Sequence, residues 1–140
     1  MKAIQVKQTG GPEALEYGDV LVPDPKPNET VVKIAAAGVN FIDVYQREGR
    51  YKLPLPFTAG QEGAGVVSAV GTEVKSFKLG DRVAFCGVQG SDAEYAAVPA
   101  DRSTRRNDRA TEGVDRSTGS VEGSAGRLEG TAPSASRRFG

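Results

Sequence analysis

Phe57-Thr-Ala-Gly60-Gln-Glu-Gly63-Ala-Gly65-Val-Val-Ser-Ala-Val70 is the stretch on which the reading of the fold turns. Its glycines are spaced Gly-x-x-Gly-x-Gly. A dinucleotide-binding turn needs Gly-x-Gly-x-x-Gly after a buried strand and at the opening of a helix, so that backbone N–H groups meet a pyrophosphate. Here a loop with Pro54 and Pro56 precedes the glycines and β-branched Val66 and Val67 follow. The glycines therefore read as a tight bend and a close strand approach, leading into a strand from Val66 to Val70. No Gly-x-x-x-x-Gly-Lys phosphate loop and no helical series long enough for a βαβ crossover occurs elsewhere. A Rossmann domain is absent from this reading.

Outward from that stretch the chain continues to read as short strands. Met1–Val6 and Leu15–Val22 flank Thr9-Gly-Gly-Pro12, whose paired glycines and proline force a turn. Pro23-Asp-Pro-Lys-Pro27 restricts φ at every second residue and makes an extended connector into a strand from Thr30 to Ala37. After Gly38, the spacing of Phe41, Val44 and Tyr45 predicts a short helix capped by Asn40. Strands are also expected over Arg82–Cys86 and Ala93–Val98, between turns at Leu79-Gly-Asp81 and Gln89-Gly-Ser91. Such spacing makes the class mainly β, an antiparallel barrel or sandwich with short helices.

The composition changes abruptly after Arg102. All seven lysines precede that point, whereas Ser103–Gly140 holds seven arginines, six glycines and ten Ser or Thr, with Val114, Val121, Leu128 and Phe139 as its sizeable apolar side chains. Such a segment cannot offset ordering entropy of roughly 1–2 kcal/mol per backbone residue. The expected organisation is a folded domain over residues 1–102 and a disordered, out-of-frame tail over 103–140, the Lys-to-Arg exchange suggesting a frameshift or retained intron. The tail's arginines are interspersed with acids and lack aromatics for base stacking, so a nucleic-acid partner is not expected.

Histidine is absent and Cys86 is the only cysteine. A Cys/His zinc site, an intrachain disulfide and a Ser-His-Asp or Cys-His nucleophile are all excluded within one chain. No apolar run of about 18 residues and no basic-then-apolar leader is seen, so the expectation is a soluble, cytoplasmic chain without membrane contact.

Four segments in order carry a resemblance: Gly10-Gly-Pro-Glu13; Gly38-Val-Asn-Phe-Ile-Asp-Val-Tyr45 with Gly49-Arg-Tyr51; Gly60-Gln-Glu-Gly-Ala-Gly-Val-Val67; and Gly80-Asp-Arg-Val83. Together they resemble the amino-terminal GroES-like domain of the medium-chain dehydrogenase/reductase superfamily, in its zinc-free, zeta-crystallin-like NADPH:quinone oxidoreductase branch. The resemblance implies a GroES-like, partly open barrel over residues 1–102. Zinc-dependent relatives carry a metal-binding cysteine where Asn40 stands and a histidine where Gln61 stands, so the resemblance implies no metal here.

In full-length members of that branch, the resemblance implies, a cleft between two domains holds the nicotinamide of NADPH and passes hydride or electrons to a quinone. Asn40, Tyr45 and Tyr51 match cleft positions and are the expected catalytic residues; Asn40, Phe41 and Tyr45 are the expected cofactor contacts. An amide and two phenols can hydrogen-bond a nicotinamide, ribose or quinone oxygen, and Phe41 can press on a flat ring. Asp43 is expected to orient its neighbours, and Glu62 to meet a backbone N–H or an arginine such as Arg82. Against these roles stand plainer ones: Asn40 as a helix cap, and Phe41 and Tyr45 as core aromatics. The nucleotide-binding domain of the branch is missing, so the chain is expected to be a truncated form, inactive alone and binding NADPH weakly or not at all. Unpaired strand edges allow homo-oligomers. Two other readings are a reductase of enone-type double bonds and a non-enzymatic interaction or RNA-binding module.

Overall fold

The computed structural model of the chain describes residues 1–105. Eight strands and one α-helix follow in the order β1 Lys2–Val6, β2 Leu15–Asp19, β3 Glu29–Gly38, α1 Phe41–Arg47, β4 Phe57–Thr58, β5 Glu62–Val70, β6 Arg82–Cys86, β7 Tyr95–Pro99 and β8 Ser103–Arg105. Single 3-10 turns at Pro12–Ala14 and Ala100–Arg102 lead into β2 and β8. The strands form two antiparallel sheets, β2-β1-β4 and β7-β3-β5-β6-β8. The expected mainly β, GroES-like architecture is thus an open arrangement of two sheets, with no closed barrel among the described residues. A bridge between Ala3 and Ala93, flanked by the Ile4 N–H to Asp92 carbonyl and Glu94 N–H to Lys2 carbonyl bonds at 2.8 and 3.0 Å, ties the two sheets together.

Period-two burial builds the core. In β6, Val83 and Phe85 point inward while Arg82, Ala84 and Cys86 are exposed; in β7, Ala96 and Val98 point inward. These side chains meet Val32 of β3 and Val67 of β5, with Ile34, Val70, Phe77 and Val88 around them. Full burial of each larger aliphatic or aromatic side chain contributes roughly 1.5–3 kcal/mol, so this one face of the larger sheet is the main source of cohesion.

The glycine-rich stretch behaves as strand. β5 begins at Glu62, four residues before the expected Val66, and Gly63 and Gly65 are buried inside it. The β3–β5 ladder shifts register between Ile34 and Ala36, and a Cβ on Gly65 would meet the Lys33 carbonyl oxygen at 2.0 Å. Gly60 supplies the bend, with φ +84°.

Other boundaries differ from expectation too: β3 runs one residue further at each end, and β7 starts at Tyr95 where Ala93 was expected. β2 ends at Asp19 and not Val22: the ladder to β1 closes with Asp19 opposite Lys2. The folded domain continues past Arg102, because β8 pairs its Ser103, Thr104 and Arg105 with Phe85, Ala84 and Val83. Arg105 bonds the Ser76 carbonyl, pairs with Asp81 at 2.9 Å and lies 5.5 Å over the Phe77 ring. Three polar residues are ordered here by an existing sheet edge, a gain that composition cannot register. The remainder of the expected tail lies outside the described residues.

Candidate active site

Asn40 has extended backbone angles, φ −126° and ψ 156°, and stands as the N-cap of α1. Its N–H donates to Asp43 Oδ2 at 2.7 Å, and the Asp43 N–H donates to the Asn40 carbonyl at 3.1 Å. A carboxylate in the first turn thereby takes up a main-chain donor at the positive end of the helix. The cap predicted at Asn40 is in place, and Asp43 does orient its neighbour.

Gly49, at φ +78°, reverses the chain after α1. The N–H groups of Arg50 and Tyr51 both reach the Tyr45 carbonyl, at 2.8 and 3.2 Å. This return brings the Tyr51 ring edge-on to Tyr45, with centroids 5.8 Å apart and planes at 75°, and sets the Arg50 guanidinium 5.4 Å over the Tyr45 ring. Gly10 and Arg47 exchange main-chain and side-chain bonds at 3.0 and 3.2 Å, so the Gly10-Gly-Pro-Glu13 turn braces the same helix.

The reading of Phe41 as a core aromatic is overturned: its side chain is 81% exposed, beside the equally exposed Val39. The residue α1 buries is Gln46, which the apolar spacing did not single out. Tyr45 is half-buried and Tyr51 is exposed. Four expected site residues, Asn40, Phe41, Tyr45 and Tyr51, therefore occupy one capped helix and its return loop.

Gln61 approaches from β5. The ladder pairs Gly38 with Glu62, so Asn40 leaves the same sheet end that Gln61 enters. The Glu62 side chain lies along Gly38, where a Cβ would meet its carboxyl oxygen at 1.9 Å. Gln61 Nε2 donates to Gln89 Oε1 at 3.4 Å, and Gln89 Nε2 donates to the Thr58 carbonyl at 2.6 Å. Gln89 was not foreseen; only its place in a Gly/Ser turn signalled it.

Beside this lies Asp92. Burial, and secondarily the charge of Asp43, pushes its carboxyl above the usual carboxylate range. Cys86 is exposed. Among the described residues no group of three or more His, Cys, Asp or Glu is assembled for a metal ion, and no helix is long and apolar enough to cross a membrane. A groove of about 520 Å³ lies elsewhere, over Ala35, Ala64, Val66, Ala84 and Arg105, and is not lined by the four aromatic and cap residues.

The family described as the alcohol dehydrogenase GroES-like domain matches residues 26–108. The quinone oxidoreductase of Pseudomonas aeruginosa is 54% identical over 85 residues, covering 60% of this chain and 26% of that protein. The human quinone oxidoreductase is 44% identical over 100 residues, covering 69% and 30%. Among solved structures, the quinone oxidoreductase of Pseudomonas syringae superposes with a TM-score of 0.75 at 47% identity, over 76% of this chain and 34% of that one. That of Escherichia coli complexed with NADPH gives 0.74 at 38% identity, over 76% and 33%. The chain thus spans about a quarter to a third of the length of these relatives. It belongs to the alcohol dehydrogenase GroES-like domain family, and the four relatives named above are quinone oxidoreductases.

Proposed function

We propose that this chain supplies the substrate-side half of an NADPH-dependent, metal-free quinone reductase, and that it does not turn over by itself. The observation that supports this most directly is the grouping of Asn40, exposed Phe41, Tyr45 and Tyr51 on α1 and its return loop. Exposed Phe41 and Val39 offer an apolar surface that a flat ring could cover, and the neighbouring amide and phenols offer hydrogen bonds to a carboxamide or quinone oxygen.

These residues suit the nicotinamide end of NADPH: Phe41 and Tyr45 would hold the ring and Asn40 its carboxamide. When bound, NADPH supplies the hydride. The metal-free reading rests on the donor set, since Asn40 and Gln61 present neutral amides, and zinc is held by thiolate, imidazole or carboxylate. Inactivity of the isolated chain rests on the described topology: every strand pairing is antiparallel and α1 is the single α-helix, so these residues contain no βαβ unit to receive a pyrophosphate.

The test is a titration of the labelled chain with 9,10-phenanthrenequinone, following amide resonances, alongside an assay of NADPH oxidation. Shifts confined to residues 38–51 and 61, with no oxidation above the uncatalysed rate, are expected. Shifts spread elsewhere, or none, would remove the substrate-side assignment, and clear turnover would remove the claim of inactivity.

A further inference from the structure

A β-sheet ends in edges whose main-chain N–H and C=O groups point into water, and folded proteins blunt such edges by shortness, proline, lysine or a bulge. Among the described residues the two sheets end in β2, β4, β7 and β8. β4 has two residues, β8 three, and β7 carries Pro99. β2 has none of these devices. It is five residues long, runs in unbroken register from Leu15 opposite Val6 to Asp19 opposite Lys2, and Leu15–Val22 contains neither lysine nor proline. Its acids are already paired across the hairpin, Glu16 with Lys7 at 2.6 Å and Asp19 with Lys2 at 2.7 Å. Leu15 is 41% exposed, Tyr17 70% and Leu21 92%, the highest value of any large apolar side chain among the described residues. Just past the strand, the Val20 N–H donates to the Met1 carbonyl at 2.9 Å and the Met1 amino group to the Val20 carbonyl at 2.8 Å. Bonded pairs alternate along an antiparallel ladder. The main-chain groups of Glu16, Gly18 and Val20 therefore face β1 and Met1, and those of Tyr17, Asp19 and Leu21 face outward.

We infer that β2 is the contact between two copies of this chain, joined antiparallel about a two-fold axis at Gly18 into one continuous sheet, β4-β1-β2-β2-β1-β4. This contact is independent of the reductase reading. With Gly18 opposite Gly18, Tyr17 of each copy lies opposite Asp19 of the other, and the two exchange main-chain bonds. Leu15 lies opposite Leu21, and Glu16 opposite Val20. The most exposed apolar side chain thus meets another leucine, no acid faces an acid, and the two Tyr17 residues become diagonal neighbours, about 7–8 Å apart and within aromatic reach. Leu15 has its N–H held by the Pro12 carbonyl, so it offers Leu21 its carbonyl alone. Moving the axis to Asp19 sets two carboxylates face to face, and moving it to Tyr17 sets Leu15 against Asp19. Each copy presents the same patch, so the contact closes on itself at two copies. An edge this short covers less than the roughly 1,200–2,000 Å² of a stable interface, so the dimer is a weak, concentration-dependent one.

The test is sedimentation of the full 140-residue chain over a range of concentrations, with amide resonances followed on dilution, under reductant so that exposed Cys86 cannot cross-link copies. A monomer–dimer equilibrium is expected, with dilution shifts confined to residues 15–22 and their β1 partners. Leu21→Lys changes a side chain already in water, so it should keep the fold and weaken association by about tenfold, the change being made twice across the axis. Leu15→Glu should weaken it likewise. The double variant Leu15→Glu/Leu21→Lys should return association to near the wild-type value, because each new acid then faces a new base on the other copy. Within one chain the two positions lie about 20 Å apart along the strand, too far to pair. A chain that stays monomeric at every concentration overturns the contact, as do dilution shifts at β7 or β8 in place of β2, or association unmoved by Leu21→Lys. A double variant that stays weak overturns the Gly18 register. Should Leu15→Glu not fold, Tyr17→Pro decides the matter, since it removes an outward N–H and no bond to β1; association unchanged by it overturns the pairing.

Discussion

Gly65 lies against the main-chain carbonyl of Lys33, where a Cβ would stand 2.0 Å from the oxygen. The neighbour is backbone inside a hydrogen-bonded ladder, so it cannot swing aside as a side chain would. Gly65→Ala should destabilise the domain by about 1–3 kcal/mol, the usual cost of overpacking, measured by urea unfolding. A change within error would show that the β3–β5 bulge yields freely.

Phe85 anchors the inner face of the larger sheet at 5% exposure. Phe85→Ala should cost about 3–5 kcal/mol, a large share of the roughly 5–15 kcal/mol by which a folded domain is stable. Circular dichroism against temperature checks it, and Ala84→Ser on the exposed face of the same strand is the control expected to stay near wild type.

Arg105 ties β8 to the Ser76–Asp81 loop through a carbonyl, a carboxylate and the Phe77 ring. Its Asp81 partner is mostly buried, at 10% side-chain exposure, which sets the pair apart from a fully solvated one. Arg105→Ala should speed amide exchange at Ser103–Arg105 by about tenfold, equivalent to roughly 1.4 kcal/mol, while the Val67 and Val98 amides stay protected. Unchanged exchange would mean that β8 is held by its ladder alone.

The Asn40 N–H to Asp43 Oδ2 bond closes the first turn of α1. Asp43→Ala should loosen that turn by about 1 kcal/mol and weaken 9,10-phenanthrenequinone binding through displacement of Asn40 and Phe41. Tyr51→Phe keeps the ring contact with Tyr45, so it should leave stability unchanged and weaken binding if the phenol meets the ligand. Calorimetry of unfolding and resonance shifts on titration separate the two effects.

Much of this protein was legible in its sequence for a physical reason: alternation, turn chemistry and caps are local. Val83 and Phe85 announce a half-buried strand, Asn40 and Asp43 a helix start, and Gly60 a bend, each within a few residues of itself. The missing dinucleotide turn was readable in the same way, from the order of three glycines. Three other features were decided by the tertiary structure alone. Gly63 and Gly65 belong to β5 because the opposing β3 bulges to receive them, and pairing partners are not written into either segment. Phe41 faces solvent and Gln46 faces inward because helical spacing names a face but not what lies opposite it. Ser103–Arg105 are ordered because β6 offers an open edge and Asp81 a charge, both supplied from distant parts of the sequence.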